Sequence, residues 1–168
     1  MKVVRVVEPG RAELADASDP KASGQFAVVK ILCAPMCTEY KQFQSGKPMR
    51  HIGHEAAGEV VEIAQAGPVK PGDRVVVMPQ YPCGVCELCL SGEYIHCEHT
   101  IDLEEATGQK ARSTYAQYML KQDWLLAPIP GDVPIEHGAM ACCGLGPTFG
   151  AMQRMAVNAF DTVLITGM

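Results

Sequence analysis

Four cysteines, Cys83, Cys86, Cys89 and Cys97, fall at the spacing C-x2-C-x2-C-x7-C within the stretch CGVCELCLSGEYIHC. In a reducing compartment, thiols at short regular spacing point to metal ligands and not to disulfides. Three ligands from one tight loop and a fourth just beyond it close a tetrahedron around zinc. Pro82, Gly84 and Gly92 supply turn-permissive backbone, and the stretch has the pattern of neither a strand nor a long helix. Four thiolates leave no position for water or substrate, so a zinc held here is structural. The alternative is a set of buried or redox-active thiols, and iron–sulfur clusters use different spacings. Chemistry has to be sought elsewhere in the chain.

The compartment follows from the rest of the sequence. The N-terminus, MKVVRVVEPGRAEL, has an apolar run too short for a signal-peptide core, and no segment approaches the length that spans a bilayer. A cytoplasmic location is the default expectation. The formal net charge is -5 and the basic residues are scattered, which argues against nucleic acid and against an anionic membrane surface as partners. With 168 residues, 48% of them hydrophobic, the chain is long enough to bury one substantial core and part of a second.

The first two thirds of the chain read as strands. KVVRVVE (2 to 8), FAVVKILCAP (26 to 35), AAGEVVEIA (56 to 64) and DRVVVMP (73 to 79) are rich in valine and isoleucine and are bounded by Gly, Pro, Asp and Ser. They predict a compact antiparallel or barrel-like sheet, to which TYAQYMLKQDWLLAPIP (114 to 130) adds one or two strands before Pro128 and Pro130 end the run. From Ile135 the spacing of small and apolar residues becomes helical, with one or two helices interrupted by a Gly-Pro turn. DTVLITGM (161 to 168) then predicts a short buried strand ending on a glycine. A strand ending in "TG" after a helix is how a dinucleotide-binding βαβ unit begins, with Gly167 in the place of its first glycine. A fragment of a longer polypeptide is the reading favoured here, because the last strand would have no parallel neighbours.

These pieces occur in a familiar order. GHEAAGEV (53 to 60), VKPGDRVVV (69 to 77), the four-cysteine lobe, CGLGPTFGA (143 to 151) and DTVLITG (161 to 167) resemble the zinc-dependent medium-chain alcohol and polyol dehydrogenases over nearly the whole chain. The resemblance implies a mainly β fold: a GroES-like partial β-barrel catalytic domain at 1–150, carrying the zinc lobe at 83–97. C-terminal helices would then lead into a truncated α/β Rossmann domain that opens at 151–168. It also implies two zinc ions, one catalytic and one structural, NAD or NADP at full length, and a small alcohol, polyol or carbonyl substrate. A homo-oligomer is implied for the full-length protein.

Residue by residue, His54 matches the family's histidine ligand. Glu55 matches the glutamate behind the metal, as an exchangeable ligand or a group that supports the ligands. Cys143 takes the place of the last thiolate when Phe149-Gly150 is set on the family's aromatic-glycine pair, with Cys142 as its rival. Family members carry Cys, any residue, Ser or Thr, then Asp at the first ligand, whereas this chain reads APMCTEY. Aligning Thr38-Glu39 to the hydroxyl–acid pair puts Met36 at the ligand position; aligning Cys37 brings the hydroxyl one residue early. Cys37 is preferred as ligand, because zinc takes thiolate far better than thioether. Thr38 is the candidate for contact with the substrate oxygen. Glu39 either orients a ligand or lies on the surface, and Lys41 is either a proton relay or a plain surface lysine.

Two thiolates and one imidazole leave a fourth coordination position open, the composition of a catalytic zinc. The activity implied is NAD(P)-linked alcohol oxidation or its reverse, with the isolated chain expected to bind zinc without turning over alcohol. A zinc-stabilised binding module without catalysis, and a dismutase or lyase on the same scaffold, are the alternatives. Cys33, Trp124 and the methionines read as packing. His51, His96, His99 and His137 have no partner at ligand spacing, and Asp73 and Arg74 read as turn residues that start a strand.

Overall fold

A computed structural model describes residues 1–47 and 52–166 of the chain. The valine-rich runs become strands: β1 (Lys2–Glu8), β2 (Arg11–Asp16), β3 (Phe26–Cys33), β4 (Ala56–Glu62), β5 (Arg74–Val77), β6 (Tyr118–Gln122) and β7 (Leu126–Pro128). Five of them form one antiparallel sheet in the order β6-β3-β4-β5-β7, and β1 pairs with β2 as a separate hairpin. A bridge between Val3 and Ala116 ties that hairpin to the chain leading into β6. The domain is therefore mainly β, as the sequence implies, with its core between the faces of the larger sheet and the loops that cover it.

Val29, Val60, Val75 and Leu120 are wholly removed from solvent in this core, each burial contributing about 1.5–3 kcal/mol against the entropy of ordering. Gly58 in β4 is required by close approach, since a Cβ there would lie 2.2 Å from the Lys30 carbonyl oxygen of the neighbouring strand. Tyr81 is buried just before the cysteine lobe and donates its hydroxyl to the Leu120 carbonyl at 2.6 Å; Gln122 donates to the Pro82 carbonyl at 2.7 Å. These two bonds moor the start of the lobe to β6. Trp124 packs edge-on against Tyr94 with ring centroids 6.2 Å apart, which fits its reading as a packing residue.

The helices are short: α1 (Glu39–Ser45), α2 (Glu87–Leu90), α3 (Leu103–Thr107), α4 (Ile135–Ala139) and α5 (Gly146–Arg154). α1 and α3 lie where the sequence reading predicts no helix, and the C-terminal pair is interrupted at a different place from the expected Gly-Pro turn. α1 lies in a stretch with no clear periodicity; it starts after Thr38 with Glu39 in its first turn and ends on the left-handed Gly46, whose N–H bonds the Gln42 carbonyl. The two C-terminal helices are separated by residues 140–145, and Pro147 lies inside the first turn of α5, where its missing N–H costs nothing.

β2 was not expected either. RAELAD is exposed almost throughout and gains strand geometry only from its register with β1. Conversely, the predicted buried strand at DTVLIT is absent: residues 161–166 form no strand, and Leu164 is 87% exposed. No neighbouring strand among the described residues takes up its backbone N–H and C=O groups, so nothing fixes a ladder there. Gly167, the candidate cofactor-binding glycine, lies outside the described residues, as does His51.

Candidate metal centres

The cysteine lobe brings its four thiols together as the spacing implied. Sulfur–sulfur separations are 3.5 Å for Cys86–Cys89, 3.6 Å for Cys83–Cys97, and 3.9 Å for both Cys83–Cys89 and Cys86–Cys97. A disulfide needs about 2.05 Å. Zinc–sulfur bonds of ~2.3 Å in a tetrahedron put the sulfurs about 3.8 Å apart. Backbone N–H groups of Val85 and Cys86 help lower the Cys83 thiol to about 6, whereas burial and the three neighbouring sulfurs push Cys89 up. The donor set, its spacing and its amide support all fit a closed zinc site.

A second cluster gathers residues from distant parts of the chain. Cys37 comes from the turn between β3 and α1, His54 and Glu55 from the approach to β4, and Cys143 from the turns between α4 and α5. One donor atom from each of the four lies within 4.8 Å of the others, and Cys37 Sγ stands 3.6 Å from Cys143 Sγ. The sulfur pair again matches a shared tetrahedral edge. Gly53 makes the turn into this segment at φ 86°, a left-handed conformation, and a Cβ on it would meet Thr114 Oγ1 at 2.1 Å.

Two buried carboxylates hold these donors. Glu39 is 3% exposed; its Oε2 accepts the Cys37 N–H at 2.9 Å and its Oε1 meets His54 Nδ1. Because a carboxylate only accepts, Nδ1 carries the proton and Nε2 is the nitrogen left for a metal. Glu55 is 2% exposed and accepts the N–H groups of Cys143 at 2.5 Å and Gly144 at 3.0 Å, fixing the loop that presents the second thiol.

Electrostatics bear on the protonation of this cluster. Burial pushes the Cys143 thiol up to about 11, reinforced by Cys37, Glu55 and Glu39. Burial likewise pushes Tyr115 up to about 12, with Glu39, Cys37 and Glu55 contributing. Burial and its neighbours thus keep the Cys143 thiol protonated, and a divalent cation held here would reverse that balance by favouring its thiolate. The residues present thus fit zinc by donor type, spacing and charge.

The remaining sequence candidates separate cleanly. Cys142 turns the other way, its Sγ 3.3 Å from Met78 Sδ and 3.9 Å from the Val77 carbonyl oxygen, with burial raising it to about 11. Met36 is 66% exposed. Thr38 is exposed, and its hydroxyl makes no capping bond to α1. Lys41 is exposed on α1. Asp73 bonds Lys70 in a turn, and Arg74 donates to the Val133 carbonyl at 2.7 Å, both structural roles. Sequence reasoning missed Tyr115, which lines the cluster and donates to the Pro35 carbonyl at 3.1 Å; a tyrosine in an alternating strand pattern carries no signal of its own.

Residues 24–131 match the family model described as "Alcohol dehydrogenase GroES-like domain". L-arabinitol 4-dehydrogenase of Aspergillus oryzae is 35% identical over 117 residues, 69% of this chain and 29% of that protein. D-arabitol-phosphate dehydrogenase of Enterococcus avium is 28% identical over 180 residues, 99% of this chain and 49% of that protein. The crystal structure of galactitol-1-phosphate dehydrogenase from Escherichia coli superposes with a TM-score of 0.67 at 27% identity, covering 83% of this chain and 41% of that one. The chain thus spans half the length or less of these relatives. Among the described residues no helix is long and apolar enough to cross a membrane.

Proposed function

The chain belongs to the zinc-type medium-chain alcohol and polyol dehydrogenase family through its alcohol dehydrogenase GroES-like domain, and from that premise we propose that it forms the zinc-binding catalytic portion of an NAD(P)-linked alcohol or polyol dehydrogenase. The observation that carries the reading is the convergence of Cys37, His54, Glu55 and Cys143 within 4.8 Å, supported by two buried carboxylates. In this reading Cys37, His54 and Cys143 would hold the catalytic zinc, and Cys83, Cys86, Cys89 and Cys97 would hold the structural one.

When bound, zinc would supply Lewis acidity toward a hydroxyl or carbonyl oxygen, and NAD(P) would supply the hydride acceptor or donor. The chain's own residues do the positioning. Glu39 fixes the His54 tautomer and anchors the Cys37 backbone at once. Glu55 holds the Cys143 loop by two N–H bonds and stands close enough to exchange into the ligand set. Thr38, exposed and with its hydroxyl unused by the helix, contacts the substrate oxygen and takes its proton toward solvent. Residues 151–168, with Gly167, open the nucleotide-binding domain. A cytoplasmic homo-oligomer acting on a small alcohol, polyol or carbonyl compound completes the proposal.

Zinc counting on the repleted chain is the test. Two equivalents per chain are expected, falling to one in Cys143→Ser with the lobe intact. One equivalent in the unaltered chain, held by the lobe, would replace this reading with a zinc-stabilised binding module.

A further inference from the structure

Beside the second cluster lies a cavity of about 160 Å³ that the metal chemistry leaves unexplained. His54 forms part of its wall and is the residue it shares with the candidate catalytic centre; Tyr81, Arg112, Thr114 and Met119 form other parts. At ~30 Å³ per water molecule the space equals about five waters, which suits a small substrate and is far too little for a dinucleotide.

Its polar lining is unusual in sign. Arg112 is half-buried, stacks with Cζ 4.6 Å from the Tyr81 ring centroid, and has no carboxylate partner among the described residues. Thr114 is 1% exposed, and its Oγ1 has no hydrogen-bond partner. Both are donors lacking an acceptor. Lys121 also lies over Tyr81, with Nζ 3.8 Å from the centroid and bonded to the Gln80 carbonyl. Burial, aided by Arg112, holds Lys121 well below its ordinary value, which leaves Arg112 as the permanent cation of this wall.

A guanidinium fork with a free hydroxyl beside it is complementary to a planar or tetrahedral oxyanion. A buried hydroxyl without a partner costs free energy until a ligand supplies one. Resting on the dehydrogenase reading above, we propose that Arg112 and Thr114 form an anion subsite beside His54. The substrate then carries a carboxylate or phosphate in addition to its reacting hydroxyl, as a hydroxy acid or a polyol phosphate does. The subsite does not need the metal to bind its ligand, only to give that ligand a reactive neighbour.

The test titrates the zinc-repleted chain with glycerol 3-phosphate, lactate and glycerol, following the His54 ring resonances by NMR. At least one anion is expected to bind about tenfold or more tightly than glycerol, and the order of the two anions tells phosphate from carboxylate. Arg112→Gln is expected to remove that preference and leave glycerol unchanged. Arg112→Lys keeps the charge without the fork and is expected to retain only part of it, which serves if the glutamine variant fails to fold. Equal binding of all three probes, or undiminished anion preference in Arg112→Gln, overturns the subsite. Zinc content of the same samples separates the two ideas: fewer than two zincs with Arg112-dependent anion binding sinks the dehydrogenase reading alone, whereas two zincs without anion preference sinks the subsite alone.

Discussion

Glu39 meets Nδ1 of His54 with one carboxylate oxygen while the other accepts the Cys37 N–H at 2.9 Å, so a single buried side chain fixes two of the donors in the second cluster. The contact selects the imidazole tautomer that leaves Nε2 free to bind a metal. Replacing Glu39 by Gln keeps the shape and removes the charge. Zinc affinity of this centre is expected to fall about 10–100-fold, the usual cost of losing a carboxylate behind a metal-bound histidine, with the lobe zinc untouched. Competition with a graded chelator series resolves the two equivalents, and an unchanged weaker-site affinity would count against this role.

Cys142 and Cys143 are neighbours with opposite fates. Cys143→Ser is expected to abolish zinc binding at the second centre. Cys142→Ala removes only a half-buried thiol packed on Met78, so both zincs stay and stability drops by about 1 kcal/mol. Metal analysis paired with urea melts decides the matter, and reversal of the two phenotypes would exchange the assignments.

The lobe is held by sulfur and by two mooring bonds to β6. Cys86→Ser is expected to release one zinc and to lower stability by more than the ~3 kcal/mol that bounds most single substitutions, because a metal clip is lost. Proteolysis should then cut within residues 83–97. A variant that loses the zinc and still resists protease would show the fold standing without it.

Lys121 titrates abnormally. Its folded value lies well below 10.5 because of burial and Arg112. Between that folded value and 10.5 the unfolded chain binds a proton that the folded chain does not, so stability rises with pH through this window and falls as pH drops. Lys121→Met removes the group and should flatten that slope, gaining most on wild type at the acid side of the window. Urea midpoints from neutral pH upward test this; parallel profiles for the two proteins would mean that Lys121 is charged in the fold.

Much of the scaffold was legible because burial is written in residue type. β1, β3, β4 and β5 are runs of valine and isoleucine, and the core residues Val29, Val60 and Val75 follow directly. β2 was invisible because its side chains are exposed and its geometry is borrowed from β1. DTVLIT misled for the complementary reason: its composition suits a strand, and a strand also needs a partner.

The lobe was readable because its four cysteines are close in sequence. In the second cluster, spacing alone could not choose between Cys142 and Cys143, or say whether Glu39 is buried. Those answers depend on how the turns after α4 and before α1 face across the domain. Arg112 and Thr114 gave no signal at all, since an unpaired donor is defined only by what surrounds it.

The second cluster joins thiols 106 positions apart in the chain, whereas the lobe gathers its own within one short loop. A ribosome making this protein therefore releases everything the lobe needs long before Cys143 emerges. If both clusters bind zinc as proposed, the nascent chain would capture its first ion early and wait for the second. Metal scarcity during synthesis would then yield a distinct species, half loaded and already folded around its lobe, with Cys37 and Cys143 still bare.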